Sequence, residues 1–364
     1  MEKSKEQEKK ISTKQMKSLV FVSLLSPIIR LFPKSSVSIG GKAAWLSPLL
    51  ALPAVLLIYL IIEKLMKNAL PGEGLADVII KSIGKRAGKA VLMLMVLWLT
   101  FYTGFVIKSG AERLISSIYP NGHTGLFTAV ITIIGIWIAI GEIRGIGRLA
   151  ELLGKVIGII LAIIIIVGAF DIKAYNIFPV TVYDIGGVAF GALPVINVLS
   201  IGAYTAFLDG YAEKGNVNKK GIIILLTLII TAIMFITVGT LGTKLIESLQ
   251  HNFFVMIRDM KILGVVERIE AVVIAMWVIT DLIYVATLIK ICGKITVTIT
   301  GKKKIKVFSA ISGVFALLIV NLIINNAFKL HYLSGIIVPI INMLFIIILL
   351  PLILVIGEIR RKKV

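Results

Sequence analysis

Two charged residues stand where a chain of this composition tolerates them least. Arg30 lies in Leu24-Leu25-Ser26-Pro27-Ile28-Ile29-Arg30-Leu31-Phe32-Pro33, and Asp281 lies in Met276-Trp277-Val278-Ile279-Thr280-Asp281-Leu282-Ile283-Tyr284. Both stretches are otherwise apolar. An ionised group inside hydrocarbon is costly unless it pairs or reaches water, so each marks an interior site. The chemistry they offer is binding: Arg30 and Asp281 are expected to face one interior and to pair. Trp277, Asp281 and Tyr284 fall at i, i+4 and i+7 and share a helix face. Thr280 and Asp281 present oxygens that suit a cation, but one carboxylate is thin support and no bound metal or cofactor is expected.

Covalent chemistry finds no footing. The sequence has no His-Glu-x-x-His helix, no Gly-x-Ser-x-Gly elbow and no phosphate-cradling glycine loop, so an enzyme is not expected. His123, His251 and His331 sit in separate connections without metal-ligand spacing and read as solvated loop residues. One cysteine, Cys292, excludes an intramolecular disulfide. Glu267 and Glu270, with Arg268 beside them, read as an interfacial cluster for packing or partner contact. Arg148 and Glu151 are one helical turn apart and can pair locally, or else present a coupling surface to another subunit.

The elements that position these residues follow from hydropathy. Of 364 residues, 58% are apolar and 16% charged. The apolar residues cluster in runs of about 20, enough to cross roughly 30 Å of hydrocarbon as a helix. The expected class is an all-α integral membrane protein of ten transmembrane helices. They run near 18–39, 43–62, 89–108, 124–141, 150–170, 186–208, 221–243, 267–290, 306–325 and 333–356. Residues 1–17 form a lysine-rich tail without a convincing cleavable signal, and residues 18–364 form one ten-helix domain.

The net charge of +20 is distributed as membrane topology, not as a nucleic-acid site. Segments expected inside carry 28 basic residues against 10 expected outside, which predicts both termini in the cytoplasm. The connection 244–266 contains Phe253, Phe254, Val255 and Met256, and a short interfacial helix is expected there.

Two spans are poor as continuous helices. Pro27 and Pro33 interrupt the first; Gly186, Gly187, Gly191, Pro194 and Gly202 interrupt the sixth. Each opens one five-helix half, residues 18–170 and 186–356. Interrupted spans in corresponding positions point to a transporter-type 5+5 inverted repeat around a midplane cavity. Simple kinking of ordinary spans is the plainer alternative. On the cavity reading, Pro27 and Arg30 form one wall, and Asn197, Ser200, Gly202 and Tyr204 supply polar groups. Trp98 and Tyr102 from span three, with Trp277, Thr280 and Asp281 from span eight, face them. Trp98 and Tyr102 read equally well as lipid-facing or core packing.

Several stretches resemble one family, the B-subunit permeases of spore germinant receptors within the amino acid–polyamine–organocation superfamily. They are Ile11-Ser12-Thr13-Lys14-Gln15, Gly41-Lys42-Ala43-Ala44-Trp45-Leu46-Ser47, Gly141 to Glu151, Asn176-Ile177-Phe178-Pro179-Val180, and Val266 to Val272 followed by Ala275-Met276-Trp277-Val278-Ile279. The resemblance implies a LeuT-like fold with broken first and sixth helices. It also implies a role in sensing a nutrient, usually an amino acid, in the inner membrane of a dormant spore. The implied partners are an A-type subunit and a lipoprotein C-type subunit.

The chain departs from the pattern twice. Ser26-Pro27-Ile28-Ile29-Arg30 stands where relatives have a glycine-rich break. Gly202-Ala203-Tyr204 stands where an acidic residue is usual. A pocket more positive than usual favours an anionic or carboxylate-bearing ligand. A secondary amino acid transporter of the same fold is the second expectation.

Overall fold

A computed structural model of the chain describes residues 10–119, 122–213, 216–249, 251–259, 269–324 and 326–361, with backbone only for residues 29–33, 259, 269 and 270. All ten predicted segments are helical. Spans one to five are Thr13–Gly40, Ser47–Met66, Lys85–Ser117, Thr124–Ile140 and Ile143–Gly168. Span six is Ile185–Ser200 continued by a 3-10 helix, Ile201–Tyr211. Spans seven to nine are Lys220–Leu241, Ile269–Thr300 and Ile305–Ile323. Span ten covers Ala327–Arg361 and contains two π-helical stretches, Leu333–Ile337 and Leu344–Leu349.

Among the described residues, eight helices are long and apolar enough to cross a membrane, and Thr124–Ile140 is a shorter apolar helix. The chain is an integral membrane protein. Its outward faces carry bare apolar side chains such as Trp137, Phe190 and Leu322, which only lipid or a partner could cover.

We call the end that holds both chain termini the inner end, following the basic-residue count. Contacts between chain segments respect that alternation. At the inner end the Ile11 N–H donates to the Tyr211 carbonyl at 2.9 Å, and Lys290 reaches the Gly141 carbonyl at 2.8 Å. At the outer end Lys34 reaches the Leu249 carbonyl at 3.2 Å, and Lys42 the Tyr175 carbonyl at 2.8 Å. A missing or extra span would have put such partners on opposite sides.

The interruptions are milder than gaps. Span one is helical without a break from Thr13 to Gly40, because a proline removes one donor and membrane helices absorb that loss. It begins with a capping box in which Ser12 and Gln15 satisfy each other's backbone N–H groups. Span six changes from α to 3-10 winding at Ile201, just before Gly202. A Cβ on Gly202 would lie 2.3 Å from the Tyr59 hydroxyl and 2.9 Å from Leu24, so glycine lets spans one and two approach. Span one packs chiefly against span six, and span three against spans eight and nine.

Two connections are themselves helical. Thr243–Ser248 and Asn252–Asp259 follow span seven, as the apolar cluster there predicted, with Phe253 and Met256 buried. Leu75–Ile83 is an amphipathic helix at the inner end that hydropathy did not single out, because nine residues are too few to span.

Candidate functional site

The Asp281 carboxylate joins three helices. One oxygen accepts from the Ser26 hydroxyl of span one. The other accepts from Arg113 Nη2 of span three at 2.7 Å. Asp281 is 5% exposed and Arg113 4%, so each charge depends on the other for its place in the interior. The Arg113 guanidinium lies 5.6 Å from the centroid of the Trp277 ring, one turn before Asp281. The expected Arg30–Asp281 pair is therefore corrected: the described partners of Asp281 are Arg113 and Ser26, and the Arg30 side chain lies outside the described residues.

Arg113 was read as an outer-loop residue because apolarity fades near residue 108. The helix instead runs on to Ser117, with Lys108 and Glu112 one turn apart at 4.0 Å. Nothing breaks it before Pro120, so Arg113 continues the inward face of Tyr102 and Val106.

A cavity opens beside this pair. Gly110, Arg113, Leu114, Ser117, Ile274, Trp277, Val278 and Asp281 line it. His251 stands close by: it is half-buried and within 3.0 Å of Ser116 Oγ, which corrects the solvated-loop expectation. Burial, with the Arg113 charge second, pushes its pKa down to about 4.

Deeper in, polar groups of four spans meet. Trp98 Nε1 and the Tyr204 hydroxyl both donate to Asn342 Oδ1 at 3.0 Å. The Tyr284 hydroxyl donates to that of Tyr102 at 3.0 Å, and the Tyr102 ring stacks on Trp98 at 6.2 Å. Trp98 and Tyr102 thus face the interior rather than lipid. Asn342 was missed, although it is the only polar residue between Ile336 and Ile356. It lies in Val338–Met343, between the two π-helical stretches, a distortion found mostly at functional sites.

The remaining expected residues divide. Pro27 is buried beside Ser26. Asn197 and Ser200 are buried, and Ser200 donates to the Asn197 carbonyl at 2.8 Å. The Thr280 hydroxyl donates to the Trp277 carbonyl of its own helix at 2.9 Å. The local Arg148–Glu151 pair is corrected: Glu151 meets Lys14 at 3.2 Å and Lys155 at 4.0 Å, while Arg148 is exposed. The tail reaches back over span five and supplies the better cation. Glu267 and the Glu270 side chain lie outside the described residues.

At the inner end a second buried pair had no counterpart in the sequence expectations. Lys219 Nζ lies 2.7 Å from both oxygens of Asp209, and both residues are almost wholly buried. The backbone around it is tight: a Cβ on Gly210 would meet the Gly72 carbonyl oxygen at 2.5 Å. Asp77 accepts from Thr298 at 3.2 Å and lies 3.6 Å from Lys294, fastening the Leu75–Ile83 helix to span eight. The interior therefore offers a cavity at its outer half and a closed, internally satisfied inner end.

With that geometry in hand, the comparisons with known proteins can be placed. The family model described as spore germination protein matches residues 10–328. No curated protein matches the chain. Among solved structures, a Na⁺-coupled sialic acid symporter in a substrate-bound outward-open state aligns at TM-score 0.62 and 12% identity, over 93% of this chain and 79% of that one. Mhp1, a nucleobase-cation-symport-1 family transporter in a closed conformation with bromovinylhydantoin bound, aligns at TM-score 0.54 and 12% identity, over 91% and 78%. At such identity the likeness concerns the fold, which is that of the LeuT-type transporters.

Proposed function

We propose that this chain, which belongs to the spore germination protein family, is the nutrient-sensing membrane subunit of a germinant receptor. A permease-like role follows from family and fold; the sensing role is our reading of the interior. The observation that carries it is the Asp281 carboxylate, which ties span one to spans three and eight at the edge of a buried cavity. A small nutrient, for which an amino acid is the first choice, would bind between the centres of spans one and six and the facing walls of spans three and eight.

Its binding would be felt widely. From Asp281, one turn of span eight leads to Tyr284, then across to Tyr102, Trp98, Asn342 and Tyr204, linking spans eight, three, ten and six. Polar groups shared among helices can be satisfied in more than one arrangement. A ligand that favours one arrangement shifts the equilibrium between them, and a receptor needs no more. The receptor would lie in the inner membrane of the spore with both termini in the cytoplasm. An A-type subunit and a lipoprotein C-type subunit would complete it, and exposed Arg148 on the inner turn is available for such a contact.

The symporters that share the fold favour a second reading, a secondary amino acid or cation transporter. Deleting the gene and restoring it as wild type or Asp281→Asn separates the two. The receptor reading predicts that deletion abolishes germination to one nutrient class and that Asp281→Asn fails to restore it. Intact nutrient responses with reduced uptake of labelled amino acid would establish the transporter instead.

A further inference from the structure

The cavity at the outer ends of spans three and eight is lined by donors that have nothing to donate to. Arg113 carries five N–H bonds, and Asp281 engages it through Nη2 alone. Its Nε and Nη1 are buried and have no hydrogen-bond partner among the described residues. The same holds for Trp277 Nε1 and Ser117 Oγ. All three residues line the one cavity. Left empty of an acceptor, each such group forfeits the bonds it had in water, a cost that a folded interior rarely bears without purpose. Elsewhere in the interior, orphan groups are scattered singly, as at Ser23, Trp45 and Ser309. Here they converge.

From this we infer that the cavity is a carboxylate-binding subsite, with Arg113 as its principal donor and Trp277 and Ser117 as accessory donors. Three features select a carboxylate over other anions. A guanidinium fits a planar two-oxygen group better than a spherical ion. The indole N–H and the serine hydroxyl add donors of fixed position. Leu114, Ile274 and Val278 line the same cavity and give the hydrocarbon part of a carboxylic acid an apolar wall, which neither chloride nor phosphate would use. Asp281 does not compete for the site, since its two oxygens are already taken up by Ser26 and Arg113; it holds the guanidinium in place. The subsite lies on the span-three and span-eight side of the interior, apart from the Gly202 region of span six. The inference deepens the proposed function by naming the chemical class the cavity reads, and it rests on that reading for its biological meaning.

The test is binding to the purified full-length chain in lipid nanodiscs, with sodium propionate, propionamide and sodium chloride as probes at equal ionic strength. Propionate is expected to bind at least about tenfold more tightly than propionamide or chloride, the difference made by charge-assisted bonds to a buried arginine. Arg113→Gln should abolish the preference. Because that variant strands Asp281, Trp277→Phe and Ser117→Ala provide the second arm: each keeps the ion pair and should weaken propionate by about fivefold while leaving propionamide unchanged. Equal affinity for acid and amide, or chloride binding as well as propionate, overturns the inference. So does full affinity in both accessory variants. The two claims fail separately. Acid-selective binding with normal germination of deletion spores sinks the receptor reading alone. Lost germination with no acid preference sinks the subsite alone.

Discussion

Two buried ion pairs sit at opposite ends of this interior, and they are built for different ends. At the inner end Lys219 places its ammonium at 2.7 Å from both oxygens of Asp209, and neither group appears among the orphan polar atoms. At the outer end Arg113 spends one nitrogen on Asp281 and leaves two unpartnered among the described residues. The inner pair lies among close backbone contacts, such as Gly210 against Gly72; the outer pair borders a cavity. Burial alone therefore does not mark a functional charge. What distinguishes the outer pair is unused hydrogen-bonding capacity facing open space.

The comparison can be broken most forcefully at the inner end. Lys219→Met leaves Asp209 buried and unpaired, and should destabilise the fold by about 3–5 kcal/mol. The double variant Asp209→Asn/Lys219→Met should recover most of that loss, measured as folded protein extracted from membranes. Next comes Gly210→Ala. Its methyl group meets backbone rather than a movable side-chain end, so a loss of about 2 kcal/mol is expected in thermal unfolding, with ligand affinity unchanged in the surviving protein.

A smaller effect comes from pH. His251 is held neutral in the fold, its pKa lowered from 6.5 to about 4. Opening the outer connection lets it take up a proton, so stability present above pH 6.5 should fall as pH drops towards 4. For a half-buried group the change is about 1 kcal/mol, read as faster amide exchange in Asn252–Arg258. In His251→Gln the pH dependence across that window should flatten. A persistent slope would assign it to other groups. The smallest effect is expected at Arg148→Ala, within about 0.5 kcal/mol in stability because the side chain is exposed. Lost germination at a normal protein level in that variant would mark a partner contact.

The contrast also explains what the sequence made legible. Spans announce themselves because hydrocarbon admits little else, and all ten predicted segments are helical. Asp281 stood out for the same reason, as an acid with no business in an apolar run. Its partner did not. Arg113 follows the point where apolarity fades, and hydropathy cannot tell a loop from a helix that continues into the outer layer. Asp209 and Lys219 were hidden in the same way, one just past the predicted end of span six and the other in a cytoplasmic connection. Arg30 drew attention that belonged to Arg113, since both are single cations and only three-dimensional packing says which one reaches span eight. Asn342 was readable as a lone amide in an apolar run. The helix Leu75–Ile83 was readable from its spacing, although too short to register as a span.

The central claim is that the outer pair reads a ligand while the inner pair only holds the fold closed. It is tested most directly by the nutrient dose–response of germination in spores carrying Trp277→Phe or Asp209→Asn/Lys219→Met at matched protein levels. The account predicts about a fivefold rise in the half-maximal nutrient concentration for Trp277→Phe and none for the inner double variant. A shift confined to the inner variant, with Trp277→Phe responding as wild type, would contradict it.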